Sequence, residues 1–153
     1  MFARLALPSL AVVTLVAGCT AAVPLDPAEG ANEPACAEVM VRLPDSVGGQ
    51  ARRSTNAQST AAWGDPASVI LRCGLPETGP SELPCFTVNG IDWLRDDTDA
   101  PVYRFITFGR NPATELVVDS DKASGVDAVD AVGTAVGAIP ASSKCLSSED
   151  VFG

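Results

Sequence analysis

Five cysteines, at positions 19, 36, 73, 85 and 145, hold most of the reactive chemistry this chain has to offer. Their spacing argues against one use of it. A tetrathiolate metal site needs paired C-x₂₋₄-C ligands, and no two cysteines stand that close. Histidine is absent from all 153 residues. That removes Ser-His and Cys-His nucleophile pairs, a histidine general base and His-ligated zinc. The serines form neither a G-x-S-x-G elbow nor an S-x-x-K pair. Among the acids, Asp96, Asp97 and Asp99 cluster in "DDTD", which reads as a solvated loop rather than a hard-cation site. Residues 119–130 have the look of a calcium loop, but Ala123 stands at the fifth, ligating position and Ser124 replaces the sixth-position glycine. Asp92 beside Trp93 would need a second carboxylate for acid/base work on glycans, and nothing in the sequence supplies one. The expectation is a non-catalytic chain with no metal and no cofactor.

Binding chemistry has better material. The few basic residues are almost all arginine, whose planar fork suits carboxylates and phosphates. Arg53, Arg72 and Arg110 fall in or beside strand patterns, and with Trp63, Trp93 or Tyr103 they would make a ligand patch. The simpler use of the arginines is internal pairing with a surplus of acids, and of the tryptophans, core packing. Asp and Glu total 19 against 10 Lys and Arg, a net charge of −9. Such a chain is repelled by nucleic-acid phosphates, so no nucleic-acid partner is expected.

Cys19 has a different role. Arg4 precedes the apolar run "LALPSLAVVTLVA", which is short for a bilayer span and suits the core of a signal peptide. Val16, Ala17 and Gly18 then match the lipobox of bacterial lipoproteins, an aliphatic residue and two small ones before the cysteine to be acylated. Residues 1–18 therefore read as a lipoprotein signal peptide and Cys19 as the lipidation site, with the membrane as partner. Residues 19–34, rich in Pro and Gly, read as a flexible tether, and 35–153 as one domain. Four cysteines remain, an even number in an oxidising compartment, so two disulfides are expected. Of three connectivities, Cys73–Cys85 with Cys36–Cys145 is favoured here, since the first would staple the Pro/Gly loop between two strands.

The elements that must position these residues are legible in part. Cys36, Val39, Met40 and Leu43 recur on one face of a short helix over 34–43. "ARRST", "STAAW" and "ASVILRC" read as strands, with "PDSVGG" a turn before them. In "CFTVNGIDWL", Asn89-Gly90 is the favoured pair for a two-residue hairpin turn. That register sets Val88 opposite Ile91 and Phe86 opposite Trp93, all four on one side, with Thr87 and Asp92 on the other. "PVYRFITFG" and "ATELVVD" are further strands. A helix begins after Ser124, with Asp127 at capping distance and Val126, Val129, Val132, Val136 and Ile139 as its stripe. The fold class is α+β: an antiparallel sheet with an N-terminal and a C-terminal helix packed on one face, stapled by two disulfides.

The segments "GGQARR", "AAWGDPASVILRCG", "CFTVNGIDW" and "TFGRNPATELVV", with the lipobox, resemble actinobacterial envelope lipoproteins of the domain-of-unknown-function family 3515. The resemblance covers nearly all of the domain and implies an exported, lipidated protein with no assigned activity and no catalytic residues to carry over. The expected function is a lipid-anchored accessory on the outer side of the bacterial cell membrane, acting by protein or cell-wall binding. A small-molecule or glycan-fragment carrier is the alternative. It would need a pocket lined by Trp63, Trp93 or Tyr103 with an arginine beside it. A carboxylate-dependent hydrolase is the third reading.

Overall fold

A computed structural model describes residues 21–146. The signal peptide and Cys19 lie outside the described residues. Eight strands form one antiparallel sheet in the order β1-β2-β3-β4-β8-β7-β6-β5. They are β1 Ser46–Val47, β2 Gln50–Arg53, β3 Thr60–Trp63, β4 Val69–Leu75, β5 Cys85–Val88, β6 Ile91–Asp96, β7 Val102–Thr107 and β8 Ala113–Asp119. Two four-strand meanders are thus joined along β4 and β8, where Val69 meets Val118 and Leu71 meets Leu116. That seam is apolar on its inner face and runs through the centre of the sheet.

Helices α1, Pro34–Met40, and α2, Gly125–Val136, pack against one another and against the same face of the sheet. The core between them holds Trp63, Leu71, Trp93 and Leu116 from the sheet, Cys36 and Val39 from α1, and Val129, Val132 and Val136 from α2. The α+β expectation with both helices on one face is met. Ser124 caps α2, its hydroxyl accepting from the Asp127 amide at 3.3 Å. Asn89 and Gly90 both take positive φ, 48° and 78°, and the hairpin register is the expected one.

Five expectations are corrected. The disulfides join Cys36 to Cys73 and Cys85 to Cys145. Cys73 faces the helices, where α1 presents Cys36, whereas β5 lies at the far edge of the sheet. Strands β4 and β5 follow one another in the chain but lie apart in the sheet, so the loop between them is not stapled to itself. Residues 21–33, expected to hang free, lie along the domain. The Val23 amide donates to Ser54 O at 2.8 Å, Gly30 to Gly74 O at 2.8 Å, and the Ser59 hydroxyl to Ala31 O at 2.5 Å. Gly74, at φ 111°, allows that approach, because a Cβ there would stand 2.4 Å from the Gly30 carbonyl carbon. Helix α1 ends at Met40, though Leu43 is still buried, and "PDSVGG" contains the short strand β1. Val126 is 62% exposed, outside the buried stripe of α2.

Candidate functional site

Alternation along each strand sends one row of side chains toward the helices. Across the sheet that row reads Ala61, Leu71, Leu116, Phe105 and Arg95, paired strand to strand. From β3 to β8 it is closed core. Toward β7 and β6 the helix cover runs out at the first turn of α2, and a cleft of about 360 Å³ opens. Phe86, Tyr103 and Phe105 form its aromatic wall, Arg95 and Asp97 one rim, and Ser120 and Ser124–Val126 the other.

The aromatic wall is ordered by contact. The rings of Phe86 and Phe105 meet edge to face, centroids 5.9 Å apart at 77°, the geometry the ring quadrupoles prefer. Gly125 opens α2 at the point where Phe105 presses closest; a Cβ there would lie 2.8 Å from Phe105 Cζ. Arg95 Nη2 sits 3.5 Å from Asp97 Oδ2, both side chains about half exposed, a loose pair that leaves the guanidinium available. The positive end of the α2 dipole faces the same opening. The arrangement stacks a flat apolar face and attracts a negative group. It contains one carboxylate and lacks the second that acid/base hydrolysis needs.

The residues singled out from sequence are scattered. Tyr103 lines the cleft, half-buried. Trp63 and Trp93 are fully buried; the Trp63 indole donates to Pro44 O at 3.1 Å. Arg53 is spent on Asp65 at 2.8 Å and on the carbonyls of Gly64 and Ala21. Arg72 clasps Glu115 from the opposite face of the sheet, with Nε at 3.1 Å and Nη2 at 2.8 Å from one oxygen. Arg104 Nε lies 2.9 Å from the other oxygen, so a carboxylate only 4% exposed sits between two guanidiniums. Arg110 is buried in the β7–β8 turn and donates to Ile139 O just past α2. No binding patch of these three arginines with the tryptophans exists. Arg95 was missed, although the alternation that turns Trp93 inward turns Arg95 inward too.

Other acids are structural. Asp92 accepts from the Thr87 hydroxyl at 2.5 Å and from the Cys145 amide at 2.8 Å. Asp96 closes its own turn, and the Thr98 hydroxyl and amide hold its carboxyl below the ordinary value of 3.8. Glu29 and Glu33 line a separate open cleft with Asn111, but both are solvent-exposed. No group of three or more metal-ligating side chains occurs among the described residues, and no described helix is long and apolar enough to cross a membrane.

A family model for proteins of unknown function, DUF3515, matches residues 5–144. The chain belongs to that family. Comparison with curated proteins and with solved structures gives no match. The DUF3515 match takes in every residue of the aromatic cleft.

Proposed function

We propose that this DUF3515 protein is a non-catalytic, exported and lipid-anchored envelope accessory that binds the cell wall through the cleft at the start of α2. The aromatic wall with Arg95 at its rim carries the reading. Sugar rings stack on aromatic faces, and the guanidinium takes a carboxylate on the same glycan. The two disulfides fit an oxidising compartment. Acylation of Cys19 would leave Thr20 alone between the lipid and the packed segment that starts at residue 21. The domain would then ride close to the membrane surface rather than at the end of a tether. The cleft volume also suits a soluble glycan fragment, which makes a carrier the second reading.

The test is sedimentation of the detergent-solubilised full chain with purified insoluble cell wall. Tyr103→Ala and Arg95→Ala should each cut the retained fraction several-fold. Displacement by short soluble fragments at micromolar concentration would favour the carrier. Equal retention of both variants would overturn the cleft as the site. In parallel, Cys19→Ala should move the protein from the membrane to the soluble fraction; unchanged membrane recovery would overturn the anchor.

A further inference from the structure

Arg72 and Arg110 use the same side chain in opposite ways. The side-on edge of Arg72, Nε with Nη2, is closed by Glu115. In Arg110 the outer nitrogen Nη1 is spent on Ile139 O, and the side-on edge makes no hydrogen bond among the described residues; Nε is buried without a partner. The residue is 6% exposed, and no carboxylate of the described residues lies within ion-pairing distance. Burial pulls its pKa below the ordinary arginine value, and the Asp92 charge offsets part of that.

Arg110 lines a small cleft of about 190 Å³ with Thr87, Asp92, Phe108 and Lys144. The far wall is the C-terminal strap, held in place from several sides. Ala141 bridges to Arg110, the Ser142 amide donates to Gly109 O at 2.6 Å, and Cys145 is bonded to Cys85. The one acid in the cleft, Asp92, is already engaged by Thr87 and the Cys145 amide. A buried guanidinium with Nη2 unbonded, a second cation lining the same cleft and a fixed wall are what an oxyanion requires.

We infer that the Arg110–Lys144 cleft is a binding site for a small oxyanion, a carboxylate or phosphate group, distinct from the aromatic cleft. Nη2 of Arg110, which makes no hydrogen bond among the described residues, takes one oxygen and Lys144 another.

The experiment follows the arginine Nε–H resonances of the oxidised full chain in maltoside micelles. Inorganic phosphate or acetate is titrated in, with chloride holding ionic strength constant. The Arg110 signal should shift saturably, the Arg72 signal should stay still, and Lys144→Gln should weaken the affinity about threefold. Whichever of phosphate and acetate binds more tightly names the group. No saturable Arg110 shift up to 100-fold molar excess would overturn the site. So would a shift that appears only in a Glu149→Gln/Asp150→Asn chain, because the occupant would then be the protein's own C-terminal acids.

Discussion

The two faces of this sheet are built from alternate residues of the same strands, yet they are held by different forces. Toward the helices, Ala61, Leu71, Leu116 and Phe105 form a dry row. One residue along, on the opposite face, the row reads Thr60, Arg72, Glu115, Ile106, Leu94 and Cys85. There a buried carboxylate is shared by two half-exposed arginines, and residues 24–26 form one wall of the shallow cleft above them. The first face gains from area removed from water; the second gains from charge pairing that water partly screens.

The disulfides give the largest test. Cys36 and Cys73 are wholly buried under α1, while Cys85 is exposed and Cys145 partly so. Replacing Cys36 and Cys73 with alanine should cost about 4 kcal/mol in the chain-entropy account, read by urea unfolding. Mild reduction of the native protein followed by alkylation should label Cys85 and Cys145 well before the buried pair. Equal labelling of both pairs would break the comparison.

Next comes a neighbouring pair on β8. Leu116→Ala should destabilise by about 2–5 kcal/mol, because its site cannot refill. Val117→Ala, one residue on and half-buried on the other face, should cost about 1 kcal/mol or less. Similar losses would mean that the second face is as well packed as the first. Glu115→Gln isolates two guanidiniums. A fully buried pair broken this way would lose about 3–5 kcal/mol; with Arg72 and Arg104 one-third to one-half exposed, about 1–2 kcal/mol is expected. Added salt should shrink that loss, which no cavity in the core would do.

The smallest effect is acid dependence. The Lys122 hydrogen bond holds the Asp119 carboxyl below its ordinary 3.8, as Thr98 does for Asp96. The folded state therefore releases these protons more readily than the unfolded chain. Their stabilisation is complete above the unfolded value and drains away as pH falls below 3.8 toward the folded one. Asp119→Asn should lower the urea midpoint at pH 7 and leave it nearly unchanged at pH 2, flattening the acid limb of the stability profile. An unaltered limb would remove Asp119 from that account.

How much could be read without the fold depends on the range of the interaction. The Asn89-Gly90 turn, the facing of Phe86 and Trp93, strand β8 and the Ser124 cap were legible because each is decided within a few residues. A Cβ at Gly133 would meet only Ile91, at an ordinary 3.8 Å, so space alone does not demand glycine at that point of α2. The disulfide partners were misjudged because proximity in sequence stood in for proximity in space. The packed course of residues 21–33 was missed because it rests on main-chain groups of Ser54 and Gly74, which carry no side-chain signature.

Composition and local pattern alone determined that this is an α+β chain without histidine chemistry, with four cysteines for two disulfides and one helix before and one after the strands of an antiparallel sheet. Those follow from residue inventory and from periodicities of two and 3.6, which are properties of the backbone itself. Only the tertiary structure decided which cysteines meet, that Arg95 and not Arg53, Arg72 or Arg110 stands beside Tyr103, and that Arg110 is buried without a carboxylate partner. The first depends on β4 lying against β8 and not β5, the second on the register of β6 against β7, and the third on where the chain after α2 settles.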